Sequence, residues 1–302
     1  MSRVQAPRVD PAAPLAYVGR SVIGFTGYLG AMAILAGSAA RAIVGRDPEA
    51  PSFRTATVRQ LDWMLGMGLP LVALVHIGMG SFLSMQAYFG GTFADGTGAV
   101  VGVGLIRNLA PLMSGLTMAG LIAARVAPEL RGGPRPDLDG DPAWVPDRDD
   151  VRLGRSVDET PIAPARRAAV RIVAATIAGP IMAFWGAAVG SLVGWQVAQK
   201  LIGISTADYF GMFLDMIWSR DVTGLAIKGA LFGAIAGLAA CHEGLRSPDP
   251  EGPPDPNAQA NASFRAACLA GVAVLAINSG WFLVFYHASA GFGPTLLAPP
   301  SR

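Results

Sequence analysis

Cys241, His242 and Glu243 are adjacent and of metal-ligating types, while Arg107 and Lys228 are cations set inside otherwise apolar runs. Successive residues of a helix point about 100° apart, so the Cys-His-Glu run does not converge on one ion and no metal site is expected. The sequence has no glycine loop closing on Gly-Lys-Ser/Thr, no His-Glu-x-x-His and no Gly-x-Ser-x-Gly. With 3 histidines it offers few general bases. No catalytic residue is expected, and the chain reads as a non-enzyme. His76, in PLVALVHIGMG, reads as a histidine hydrogen-bonded to a neighbouring helix, and Cys241 and Cys268 as two apolar thiols rather than a disulfide.

Arg107 is followed by Asn108 and Pro111, and Lys228 lies in a run that begins at Val222. Charges within a membrane span are costly and face protein or water. Arg107, Asn108 and Pro111 suggest a shaped interior. For Lys228 the plainer reading is a side chain that snorkels to the interface or pairs with Asp221 or Asp215. At about 1.5 Å per residue, both cations sit roughly 9–14 Å inside their spans.

The elements that must carry these residues are five apolar stretches at Asp62–Tyr88, Gly98–Ala124, Ala169–Ala198, Val222–Cys241 and Phe264–His287. About twenty apolar residues are needed to cross the roughly 30 Å hydrocarbon layer, and a helix satisfies its own backbone there. Hydrophobic residues make up 52% of the chain and charged ones 15%, with a mean hydropathy of +0.44. The expected fold is therefore an all-α integral membrane protein. The 38 glycines fit helices that pack closely through small residues. Gly66, Gly68 and Pro70 are expected to loosen or kink the first span.

The run Tyr17–Val44 is apolar but broken by glycines and by Arg20 and Arg41. It reads as an interfacial helix within an N-terminal region 17–60 that follows a disordered tail, 1–16, and precedes a five-span domain, 61–302. Arginines crowd the region before the first span, the loop between the second and third, and the loop between the fourth and fifth. The other side holds Lys200, Arg220 and Arg302. The positive-inside rule places the N-terminus in the cytoplasm and the C-terminus outside, a parity that needs an odd number of crossings. The basic residues form no stripe interleaved with aromatics, so nucleic acid is not an expected partner. The segment 131–164 is rich in proline and acidic residues and reads as a cytoplasmic insertion. Thr206–Trp218 places Tyr209, Phe210, Phe213, Leu214 and Ile217 at helical spacing with Asp208 and Asp215 opposite, an amphipathic helix on the outer surface.

The order of short motifs resembles the MlaE/YrbE permease family. Val58-Arg-Gln-Leu61, FLSMQAY ending at Tyr88, Leu105-Ile-Arg-Asn-Leu-Ala-Pro-Leu112, Ala119-Gly120 through Glu129-Leu130, Gly190-Ser-Leu-Val-Gly194, Asp221, Ile227-Lys228 and His242-Glu243-Gly244 carry the resemblance. Asn108 stands where that family usually has glutamate. Leu121 stands where its arginine is expected, and Arg131-Gly-Gly-Pro134 interrupts its coupling segment.

The resemblance implies the membrane subunit of an ATP-driven phospholipid or related lipid transporter in the inner membrane. Such a subunit works as a dimer with a second copy or sister chain, a cytoplasmic ABC ATPase and a periplasmic Mce-type lipid-binding protein. It binds no cofactor of its own, ATP belonging to the partner. The substrate path would involve Gln86, Arg107, Asn108, Pro111 and Lys228, in a lipid cavity between spans one, two and five, and Arg125 and Glu129 would couple to the ATPase. The rival is a degenerate, non-transporting scaffold that binds a partner through the cytoplasmic insertion.

Overall fold

The computed structural model describes residues 13–45, 52–89, 99–132, 163–246 and 257–287. The N-terminal tail before Ala13 and the core of the insertion, 133–162, lie outside the described residues. Among the described residues seven α-helices follow in chain order: α1 (Ala13–Val44), α2 (Phe53–Phe89), α3 (Ala110–Gly132), α4 (Ala163–Ile202), α5 (Thr206–Met216), α6 (Ser219–Leu245) and α7 (Ala258–Phe282). Two π-helical segments, Ala99–Val103 and Leu105–Leu109, lead into α3, and a third, Leu283–His287, extends α7. The chain is an all-α, multi-pass membrane protein with an N-terminal helix and five further long apolar helices. Among the described residues 6 helices are able, by length and composition, to cross a bilayer, α1 among them through Val22–Val44.

The helices run past the apolar windows. α2 begins at Phe53, ahead of Asp62, and α4 begins at Ala163, ahead of Ala169. A helix keeps its backbone bonds when it leaves the hydrocarbon, and the arginines at these ends are solvated at the interface, so apolarity marks the membrane and not the helix end. Pro70 does not interrupt α2.

α3, α4 and α6 form the centre. α4 packs along α2 on one side and α6 on the other, and α3 lies across α6 and α4. Small residues let these backbones touch. A Cβ added at Gly80 of α2 would run into the Gly190 carbonyl of α4, one at Gly179 into the Gly229 carbonyl, and one at Gly233 into the Ala175 carbonyl. Gly186 makes room for the His76 ring. The imidazole is buried; its Nδ1 lies 2.7 Å from the Val72 carbonyl, one turn back on its own helix, and it also meets the Ala110 backbone of the neighbouring α3.

α7 packs on α3 and α6, and α2 packs on α4 and more briefly on α3. α2 and α7 each pack on α3 but not along each other. Gly120 and Ala124 of α3 remain exposed. α1 packs on α4 and α6, with Ala39 and Ala42 buried and most of its remaining surface open.

The short α5 is capped by Ser205, whose hydroxyl accepts from the Asp208 amide at 3.1 Å. Tyr209 is fully buried, Phe210 and Phe213 are half-buried, and Asp208 and Asp215 face out. Leu214, which its spacing groups with the aromatic face, is exposed. Burial raises the Tyr209 phenol above its usual pKa. Cys241 is buried and Cys268 exposed, both as free thiols.

Candidate functional site

Pro111 has no N–H to offer the carbonyl four residues back, that of Arg107. The chain around it is wound as π-helix over Leu105–Leu109, with the Ala110 amide reaching the Leu105 carbonyl. Lys228 of α6 donates its ammonium to the Arg107 carbonyl. The Arg107 side chain turns to the start of α6, where Nε and Nη2 meet the two Asp221 oxygens at 2.9 and 3.0 Å. Nη2 also donates to the Met216 carbonyl at 3.1 Å.

Asp221 is fully buried and accepts from the Trp218 amide at 3.0 Å, closing the first turn of α6. The Trp218 ring carries the Arg220 guanidinium at 3.9 Å from its centroid. The clamp thus joins α3, the α5–α6 turn and α6 at the arginine-poor end of the bundle. A fork-shaped guanidinium on a carboxylate is the geometry that makes such a buried pair worth its desolvation.

One residue on, Asn108 faces another helix. Asn278 of α7 donates from Nδ2 to the Asn108 Oδ1 at 2.7 Å. Asn108 is half-buried and Asn278 is 7% exposed. Pro111 is buried and Gln86 is exposed near the end of α2. Arg107, Pro111 and Lys228 therefore meet in one knot with Asp221, Asn108 lies beside it toward α7, and Gln86 stands apart on α2. A separate apolar crevice of about 330 Å³ opens between α4, α5 and α6, lined by Ile106, Phe184, Phe210, Phe213 and Leu225 among others.

The arginine-rich end is tied by two carboxylates. Glu129 accepts from Arg125 at 2.5 Å within α3 and from Arg171 of α4 at 3.4 Å, and the Arg125 guanidinium stacks on Trp63 of α2 at 4.4 Å. Glu243 of α6, 1% exposed, accepts from Arg265 of α7 at 2.9 Å and from the Tyr28 hydroxyl of α1 at 2.5 Å. Arg131 of α3 donates to the Glu243 carbonyl at 3.1 Å, and the Tyr28 ring meets His242 edge-on at 4.5 Å. Among the described residues no group of three metal-ligating side chains converges.

Asp221 as the partner of Arg107, and Glu243 as a junction of four helices, are the site features that spacing alone does not give. An acidic residue at the mouth of one span, level with a cation in another, is the signal that points to the first pair.

A family model for the MlaE permease matches residues 57–131 and 162–282, more than half of the chain. The chain belongs to the MlaE permease family. The match runs from within α2 through α7 and breaks over the proline-rich insertion. Three Rickettsia proteins, each named a probable ABC transporter permease protein, are similar to this chain. That of Rickettsia conorii is 24% identical over 234 residues, that of Rickettsia felis 25% over 234 and that of Rickettsia typhi 26% over 233. Each alignment covers 76% of this chain and 83% of the relative. The chain is a membrane permease subunit. Within the MlaE match lie the Arg107–Asp221 clamp, the Asn108–Asn278 pair and both carboxylate junctions, whereas Tyr28 lies before it.

Proposed function

We propose that this permease is the membrane subunit of an ATP-driven transporter of phospholipids or related lipids. The family match through α2–α7 carries the reading. The relatives' description as ABC transporter permeases supports an ATPase as partner. The working unit pairs this chain with a second copy or sister chain, a cytoplasmic ABC ATPase and a periplasmic Mce-type lipid-binding protein.

The arrangement of α2 and α7 beside α3 supports a cavity walled by these helices. Its apolar surface suits acyl chains: Met67, Leu71 and Leu74 on α2 and Val272, Leu275 and Phe282 on α7 are all exposed. Gln86 and Asn108 supply hydrogen-bonding groups toward the outer leaflet. Arg107, Pro111 and Lys228 fix the α3 backbone beside them. Arg125 and Glu129, tied to α2 and α4, pass ATPase movement into the core. The arginine-rich end faces the cytoplasm of a cell whose inner membrane holds the protein, with the N-terminus inside and the C-terminus outside.

The anchoring of Tyr28 at the Glu243 end of α6, together with the short link from Val44 to α2, supports α1 lying along the cytoplasmic interface. Gentle extraction of the full-length chain followed by native mass spectrometry tests the assignment. Bound lipid and a co-purifying ATPase are expected, and a lipid-free, partnerless chain overturns it. Removal of 133–162 separates the scaffold alternative: loss of the complex, with nothing else changed, favours the scaffold.

A further inference from the structure

Within the walls of that cavity the Asn108–Asn278 pair has hydrogen-bonding capacity to spare. A carboxamide carries an acceptor oxygen and a two-proton donor. The pair makes one mutual bond, from Asn278 Nδ2 to Asn108 Oδ1. Among the described residues, Asn278 Oδ1 is left buried with no partner and no group meets the Asn108 amide nitrogen. The balance is the same for either orientation of the two amides: turning both round exchanges which residue donates and again leaves one acceptor and one donor.

A buried polar atom without a partner costs about 1–3 kcal/mol, and so asks for one. Helix packing does not require two asparagines here. The other buried residues along this face of α7 are Ala262, Ala266, Ala270 and Val274, which hold the helix without polar groups. Access is from the Asn108 side, since Asn108 is half-buried and Asn278 lies beneath it.

Charge narrows the ligand. The neighbouring Arg107 guanidinium is held by Asp221 in a two-pronged bond, and Lys228 is committed to the Arg107 carbonyl. What the asparagine pair leaves open is one neutral donor and one neutral acceptor. A hydroxyl both donates and accepts, and matches that pair. The depth agrees: Asn278 stands about 10 Å below the end of the span at Phe285, counting 1.5 Å per residue, where the polar end of a lipid drawn from the outer leaflet enters the bilayer.

The geometry points to Asn108 and Asn278 as a specificity-determining pair that recognises a free hydroxyl on the polar end of the transported lipid. The inference rests on the lipid-transport reading and deepens it.

The test offers purified full-length protein equimolar phosphatidylglycerol and phosphatidylmethanol with identical acyl chains, in mixed micelles, and reads the bound ratio by native mass spectrometry. The two lipids carry the same charge and differ in the head-group hydroxyls. The expected result is enrichment of phosphatidylglycerol by roughly fivefold, a factor within the reach of one ordinary hydrogen bond. Asn108→Leu and Asn278→Leu should bring the ratio near one by lowering the binding of phosphatidylglycerol toward that of phosphatidylmethanol. Asn108→Ala serves if a leucine variant fails to fold. Equal binding of both lipids by the unaltered protein, or variants that lower the melting temperature but keep the enrichment, assigns the pair to helix packing alone and overturns the inference while leaving lipid transport standing. Failure to bind either lipid removes both.

Discussion

Lys228 of α6 donates to the Arg107 carbonyl of the α3 lead-in, the carbonyl that Pro111 leaves without a helical N–H. A cation in a span thereby completes the backbone bonding of a neighbouring helix. If so, Lys228→Met should destabilise the protein by about 1–2 kcal/mol. The loss should shrink by about 1 kcal/mol in a Pro111→Ala background, where residue 111 regains its own N–H. Chemical unfolding in detergent of the two single variants and the double variant measures the coupling, and strictly additive losses contradict the assignment.

Arg107, half-buried, and Asp221, fully buried, form the ion pair of the same knot. Asp221→Asn keeps the shape but strands the guanidinium, so a loss of about 3 kcal/mol is expected. Replacing both residues, as Arg107→Met with Asp221→Leu, should recover most of it. A double variant as unstable as the single one shows that the pair does not act as a unit.

Close backbone contact makes the α2–α4 seam sensitive to a single methyl group. Gly80→Ala places a Cβ against the Gly190 carbonyl and should cost about 1–3 kcal/mol. Gly78→Ala, two residues away, meets nothing within 4 Å and should be neutral or gain up to about 1 kcal/mol from helix propensity. Thermal melts of the two variants decide this, and equal behaviour argues against the seam.

The five spans are legible because twenty-residue apolar windows have no other role, and arginine counts order the loops around them. Helix ends are not legible: α2 from Phe53 and α4 from Ala163 carry their first turns among charged residues. Pro111 announces an irregular start to α3, but the π-helical winding depends on what α6 offers it. Arg107 and Lys228 are visible as cations in apolar runs, whereas the partners Asp221 and a backbone carbonyl are set by the depths at which separate helices meet. Asn278 is legible as a polar residue in an apolar run, yet its spare carbonyl exists only once Asn108 stands opposite. Glu243 is hidden for a similar reason, since its donors come from α1 and α7.

That junction makes α1 dependent on one carboxylate. Tyr28→Phe and Glu243→Gln should each speed amide hydrogen exchange across Val22–Val44 several-fold while leaving the Glu129 region of α3 unchanged. Exchange in α1 that is indifferent to both substitutions contradicts its docking through Glu243.

The most direct measurement is ATP-dependent lipid movement by the full-length chain reconstituted in vesicles with the ATPase that co-purifies with it. Labelled phospholipid should pass between the vesicles and a lipid-binding acceptor at a rate that rises with ATP and falls to background when the ATPase is inactivated. An intact complex that hydrolyses ATP while lipid exchange stays at background contradicts the assignment.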